Sequence, residues 1–239
     1  IALKNNITIK GEGKGTIINL TGTTNKYFNF NGKNNIIIED MKIKLLATKT
    51  GGVFYHMDLS SCTGIEFRNI EFVNYTQDVS ANPGDIGIIY ANSASRIKIL
   101  NCKVYNAGSG NLGGVFYDAG IENSMIINNN FEDIDLIASS TSIIIKECII
   151  ANNIFRGISV LDEKFDKNVI VGNSCYFIEF GDEGTGDKNI IAGNFMTAGL
   201  ASKISLGAAT HHNSATGNIH DETNTNAGTG NVISGDVQY

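Results

Sequence analysis

The chain has 239 residues and a net charge of −6, with 42% hydrophobic and only 18% charged residues; that is enough apolar surface for a core and too little charge for a disordered chain. Acidic residues outnumber basic ones 24 to 18, and no Lys/Arg run interleaves with aromatics, which excludes a nucleic-acid groove. No run approaches the ~18 apolar residues of a membrane-spanning helix, so neither nucleic acid nor membrane is expected as a partner.

The chain opens on an apolar strand, Ile7-Thr8-Ile9, followed by Gly11-Glu12-Gly13-Lys14-Gly15 and a second strand, Thr16-Ile17-Ile18. The glycines lie between strands and not at the start of a helix, so they are not a phosphate-binding fingerprint. Residues 1–10 have neither the basic nor the apolar region of an export signal, and this abrupt start predicts a piece of a longer chain.

Downstream, a short apolar strand followed by a small or polar residue and then Asn or Asp recurs, ending on Asp40, Asn69, Asn101, Asn129, Asn153, Asn173, Asn194 and Asn218. The steps are 29, 32, 28, 24, 20, 21 and 24 residues. That is short for a β-α-β unit of ~30 residues or a propeller blade of ~40, and the segments alternate with a period of two. A parallel β-helix explains the pattern, each coil adding one strand to each of two or three sheets, with rungs about 4.8 Å apart. The predicted fold class is all-β, a solenoid of about eight to ten coils in one domain over residues 1–239. The recurring Asn is expected to stack as a ladder at one turn, because its amide bonds backbone groups and its own neighbours and it tolerates a left-handed corner. Unequal steps predict loops at residues 75–87 and 107–114.

A second set of strands follows the first: residues 52–56 (GVFYH), 87–91 (GIIYA) and 114–118 (GVFYD), then the weaker 136–138, 158–160, 178–180 and 204–206. In the later members Ser159, Glu179 and Ser205 should face out, while Ile158, Val160, Ile178, Phe180, Ile204 and Leu206 face in. Carried backward, this register makes Phe54, Ile89, Phe116 and Ile137 an outward apolar stripe, expected to bind a second subunit. Phe54 and Phe116 would alternatively form a platform for sugar rings, which pack on aromatic faces. His56 and Asp118 fall in one column of that face with Glu179 further along, and all three are candidate acid–base residues.

The most specific constellation is a duplicated acidic turn, residues 162–168 (DEKFDKN) and 182–189 (DEGTGDKN). The copies lie 20 residues apart after aligned strands, so Asp162 should stack near Asp182 with carboxylates about 5 Å apart. Carboxyls at ~5 to 9.5 Å suit a glycosidase, making this pair the first candidate for catalysis; a divalent cation such as calcium is the other use of such a pair. The bland reading is a turn on a solvated edge, its repulsion relieved by Lys164, Lys167 and Lys188.

Towards the end, His211-His212 and His220-Asp221-Glu222 fit no zinc spacing, so no metal site is assigned. Residues 207–239 are expected to be weaker, loop-rich coils, with 223–230 leaving the helix and 232–234 a last strand. Cys62, Cys102, Cys148 and Cys175 are 40, 46 and 27 residues apart with no C-x-x-C pair and are expected as buried free thiols, which fits assembly in a reducing compartment.

Residues 3–18, with their strand, G-x-G-x-G turn and second strand, resemble the opening of the β-helix in the pectate-lyase-like superfamily, and most of all the bacteriophage tail-spike and preneck-appendage domains. The resemblance implies a right-handed, single-stranded parallel β-helix that serves as the shaft of a homotrimeric spike. It further implies binding and degradation of a host-surface glycopolymer (capsule, wall polysaccharide or teichoic acid), on a virion tail assembled in the host cytoplasm and without a cofactor. A secreted pectate-lyase-like lyase or hydrolase and a non-catalytic shaft are the alternatives. Arg96-Ile97-Lys98 stands alone, without the N-T-D and G-H-G motifs of polygalacturonases, and the Asp-Pro-His-Glu signature of alginate epimerases is missing. The superfamily's catalytic residues are therefore not carried over.

Overall fold

The structure, a computed structural model, describes residues 3–21, 26–45, 54–74, 86–106, 114–117, 120–131, 134–138, 144–160, 164–180, 186–196, 203–220 and 224–238. Among them are no helices, and the strands pair in parallel. One coil shows the plan: Lys164–Asp166, Val169–Val171, Ser174–Cys175 and Phe177–Phe180 are four short strands, here called walls one to four. Each stacks on its counterpart in the coils before and after. Val169–Val171 lies between Ile149–Ala151 and Ile190–Ala192, and in wall four Phe177–Phe180 lies between Gly157–Val160 and Ile204–Leu206. The chain is a parallel β-helix, as its repeats predict.

Two sharp corners that recur along the described stack depend on left-handed backbone. Between walls one and two, Asn6, Asn35, Gly64, Arg96, Asn123, Glu147, Lys167, Lys188, His212 and Gly230 stack with φ of 51° to 69°. Between walls two and three, Asp40, Asn69, Asn101, Asn128, Asn152, Gly172, Gly193, Gly217 and Gly235 do the same at 53° to 65°. Gly, Asn and Asp meet this requirement with the least strain.

This corrects the expected Asn ladder. Asp40, Asn69 and Asn101 belong to the corner and align with Asn128, whereas the buried ladder begins one residue later. In it the N–H of Asn129, Asn153, Asn173 and Asn194 each donates to Oδ1 of the next Asn, at 2.9 to 3.0 Å, and the column ends on Asp236. Asn168, Asn189, Asn213 and Asn231 form a second ladder inside the other corner. Toward the N-terminus both columns turn apolar, one through Cys102 to Ile70 and Met41, the other through Cys148 and Ser124 to Ile97, Ile65 and Ile36. Cys102 and Cys148 thus sit where amide gives way to hydrocarbon, each giving its backbone N–H to the first Asn.

All four cysteines are free and buried, as expected. Burial pushes the thiols up, to about 12 for Cys62, Cys102 and Cys175 and about 11 for Cys148, which leaves them protonated and unreactive at neutral pH.

Inside, the middle of wall two is a column of Ile38, Phe67, Ile99, Ile126, Ile150, Ile170 and Ile191, and wall four adds Phe116, Ile158, Ile178 and Ile204 to the same core. Ile158, Val160, Ile178, Phe180, Ile204 and Leu206 are buried and Ser159, Glu179 and Ser205 half-exposed, the register the sequence predicts. Ile178→Ala should therefore cost about 2 to 4 kcal/mol through lost transfer energy and a cavity. Ser205→Ala should cost little, and equal losses in urea unfolding would contradict this register.

Earlier in wall four the expectation fails. Tyr55 pairs with Gly87 and Met57 with Ile89, three residues from the expected alignment, and Ile137 pairs with Ile158 and not Ser159. Ile89 and Phe116 consequently point into the core, both 0% exposed; they form no outward stripe, and Phe116 is no sugar platform. In the terminal coils Val232–Ser234 is a strand as expected and continues wall two, but Thr225–Asn226 continues wall four against Ser205–Leu206 where a loop was expected, and Val237–Gln238 adds a further strand to wall three. The loops expected at 75–87 and 107–114 fall almost wholly outside the described residues.

Candidate functional site

Wall four presents its alternate residues outward, and in the coils from Gly157 on these are Gly157 and Ser159, then Phe177 and Glu179, then Lys203 and Ser205, with Thr225 following Ser205 in the next coil. Gly157 and Phe177 are paired neighbours, and a Cβ on Gly157 would lie 2.3 Å from Phe177 Cζ and 2.5 Å from Cε1 and Cε2. The ring therefore occupies the volume that any other side chain would fill. Phe177 is held half-buried over the glycine. Beside it on the same face Glu179 stands between Ser159 and Ser205, and Thr225 Oγ1 donates to Ser205 Oγ at 2.9 Å.

The approach to this strip is polar. Asp135, Arg156 and Tyr176 occupy successive rungs just before the wall, linked through Arg156 N–H to Ile134 C=O and Tyr176 N–H to Arg156 C=O. Arg156 forks onto the buried Asp135, with Nε donating to Oδ1 at 2.8 Å and Nη2 to Oδ2. That pair neutralises the carboxylate and fixes the guanidinium's orientation, leaving part of it exposed. An aromatic ring, a carboxylate and hydroxyls share this strip, with a fixed guanidinium at its approach; this set can stack a ring and hydrogen-bond its substituents.

Of the residues expected from the sequence, Glu179 lies on this strip. His56 is in Phe54–Asp58, opposite Ile88 and so level with Val115. The expected column joining it to Asp118 does not form, and Phe54 pairs with Ile86; the side chains of Phe54 and His56 lie outside the described set. Asp118, Asp162 and Asp182 also lie outside the described residues. Val160 and Phe180, two residues before each acid, are paired in adjacent rungs. The second aspartates of the two turns are among the described residues and act as turn formers, Asp187 N–H donating to Asp166 Oδ1 and His211 N–H to Asp187 Oδ1, both at 3.0 Å. Phe177 was missed by the sequence reading. Its parity with Glu179 was legible, but its seat on Gly157 depends on a pairing between coils.

Two concavities lie elsewhere. A cleft of about 320 Å³ between coils is lined by Asn92, Ser93, Ser95, Glu122 and Ile144. The larger, about 610 Å³, is at the C-terminal end of the described stack. Its polar groups engage one another, with Asn224 Nδ2 donating to Asp236 Oδ2 at 2.8 Å and lying 2.9 Å from His220 Nε2. It is the end of the ladder's hydrogen bonding and not a separate arrangement. Among the described residues no three His, Cys, Asp or Glu side chains gather as metal ligands would.

No family model matches the chain, and no curated protein matches its sequence. Among solved structures it is similar to the Dettilon tailspike protein, at 12% identity and a TM-score of 0.42 over 86% of this chain and 56% of that one. It is similar also to the A-modules of two Azotobacter vinelandii mannuronan C-5 epimerases. AlgE4 gives 11% identity and a TM-score of 0.34 over 99% and 84% of the two chains; AlgE6 gives 11% and 0.28 over 93% and 88%. The chain spans just over half the length of the tailspike.

Proposed function

We propose that this chain is a glycopolymer-binding β-helix, the shaft of a trimeric virus tail spike that grips and degrades a bacterial surface polymer. The observation supporting the binding is Phe177 seated on Gly157 beside Glu179. A sugar ring needs an apolar face to lie on and polar groups at its rim, and Phe177 and Glu179 offer both side by side on wall four. Placement on a virion assembled in the host cytoplasm agrees with four cysteines left as free thiols. Cleavage is assigned to Asp162 and Asp182, with Glu179, His56 and Asp118 as the other acid–base candidates.

The test is binding to purified capsule, wall polysaccharide and teichoic acid, followed by calorimetry. At least one polymer should bind, and Phe177→Ala should weaken it by roughly tenfold or more, the usual loss when a central aromatic anchor is truncated. Gly157→Ala should weaken it as well, because the new methyl displaces the ring while the inward core stays in place. Both variants binding like the parent would remove wall four from the reading, and a parent that binds none of the three would remove the reading itself.

A further inference from the structure

Late in the stack the inward columns of walls three and four turn polar. On wall three Cys175 and Met196 are followed by His220, and on wall four Ile178 and Ile204 are followed by Asn224, one residue before the Ser205–Thr225 pair. His220 is 4% exposed, and its Nε2 lies 2.9 Å from Asn224 Nδ2. The other bonds of Asn224 fix which of these two nitrogens carries the proton. Asn224 Oδ1 accepts from the Ile204 backbone N–H at 2.8 Å, and Nδ2 donates to Asp236 Oδ2 at 2.8 Å. Turning the amide round would set donor against donor at one end and oxygen against carboxylate at the other. Nδ2 therefore donates and His220 Nε2 accepts, which makes the imidazole neutral with its proton on Nδ1.

We propose that this coil is a proton-sensitive clasp, in which protonation of His220 moves Nε2 from Asn224 to the Asp236 carboxylate and frees the end of wall four. An imidazolium carries an N–H on Nε2, which then faces the amide hydrogens of Asn224. Asp236 Oδ2 is 3.9 Å from the same nitrogen, close enough for the ring to take it as its acceptor. Asp236 itself stays in place, because its Oδ1 accepts from the N–H and Nδ2 of Asn218 at 2.9 and 3.1 Å. Asn224 loses its seat between the two groups, and Ile204 N–H loses its acceptor with it. Of the residues lining this end of the stack, Asp236 is the one acid and His220 the one base. Met196 and Gln238, on the rungs before and after His220, do not titrate, and Asp221 and Glu222 lie outside the described residues. Imidazole is the side chain that takes up a proton between about pH 8 and about pH 5, so the clasp responds to mild acid.

The inference is independent of glycan binding, and nitrogen NMR of the whole chain tests it. At about pH 8 His220 should show the Nδ1–H tautomer. On passing to about pH 5, the protection of the Ile204 amide from hydrogen exchange, corrected for the intrinsic rate, should fall roughly tenfold, the usual worth of one hydrogen bond. Ile178 N–H, which donates to Lys203 C=O one rung earlier, should keep its protection. His220→Gln offers Asn224 an oxygen at every pH and should hold Ile204 protection constant, while the His211→Gln, His212→Gln double variant should respond as the parent does. An Nε2–H tautomer at the higher pH overturns the clasp, as does Ile204 protection that is unchanged in acid. So does a response that persists in His220→Gln or vanishes in the His211, His212 double variant. If His220→Gln does not fold, the tautomer and the amide exchange of the parent decide.

Discussion

Asn173→Ala is expected to cost about 3 to 5 kcal/mol in urea unfolding, as much as a large core truncation, although it removes only an amide. Asn173 Oδ1 accepts from the backbone N–H and the side-chain amide of Asn153, while Nδ2 donates to Ile150 C=O and Asn194 Oδ1. Truncation strands a buried N–H, an amide hydrogen and a carbonyl together, and each orphan costs about 1 to 3 kcal/mol less whatever a trapped water restores. Asn173→Asp tests the same point differently. Its carboxylate still accepts from Asn153 but cannot donate, so Asn194 Oδ1 and Ile150 C=O would face a buried anion. The one acid in the column, Asp236, stands at its end, where Asn224 supplies a further donor. A loss below about 1 kcal/mol for Asn173→Ala would mean that the ladder decorates the helix without stabilising it.

What could be read from the sequence followed from how cleanly its letters alternate. From Gly157 to Leu206 polar Ser159, Glu179 and Ser205 separate apolar neighbours, and the inward and outward sides of wall four came out correctly. At Ile88-Ile89 and Val115-Phe116 both members of each pair are buried, so alternation carries no information there. Alignment on the glycine and tyrosine letters then slipped by three residues at Tyr55. The apolar face of walls two and three was hidden for the same reason: Met125-Ile126-Ile127, Ile149-Ile150-Ala151 and Val169-Ile170-Val171 read as strands buried on both sides, yet Met125, Ile127, Ile149, Val169 and Val171 reach the surface beside a buried central residue. Asn was ambiguous in another way, since a left-handed corner and a buried amide ladder select the same residue one position apart.

Asp162→Asn and Asp182→Asn should each reduce polymer cleavage by roughly 10² to 10⁴, the contribution of a positioned proton donor or acceptor, while leaving binding unchanged. The sequence repeats the acidic turn at an interval of 20 residues, and the strands before the two copies are paired, Val160 with Phe180. Both turns therefore leave wall four from adjacent rungs, at the end of the strip that carries Phe177 and Glu179. An acid and a base or nucleophile are separately essential, so either substitution alone should suffice and the double variant should fall little further. Binding through Phe177 separates this outcome from misfolding: a variant that still retains polymer in calorimetry but releases no fragments has lost chemistry alone. If instead both single variants cleave at the parent's rate, the carboxylates are turn formers like Asp166 and Asp187, whose oxygens already cap the next backbone N–H. Glu179, outward between Ser159 and Ser205 on the same face, then becomes the first residue to replace.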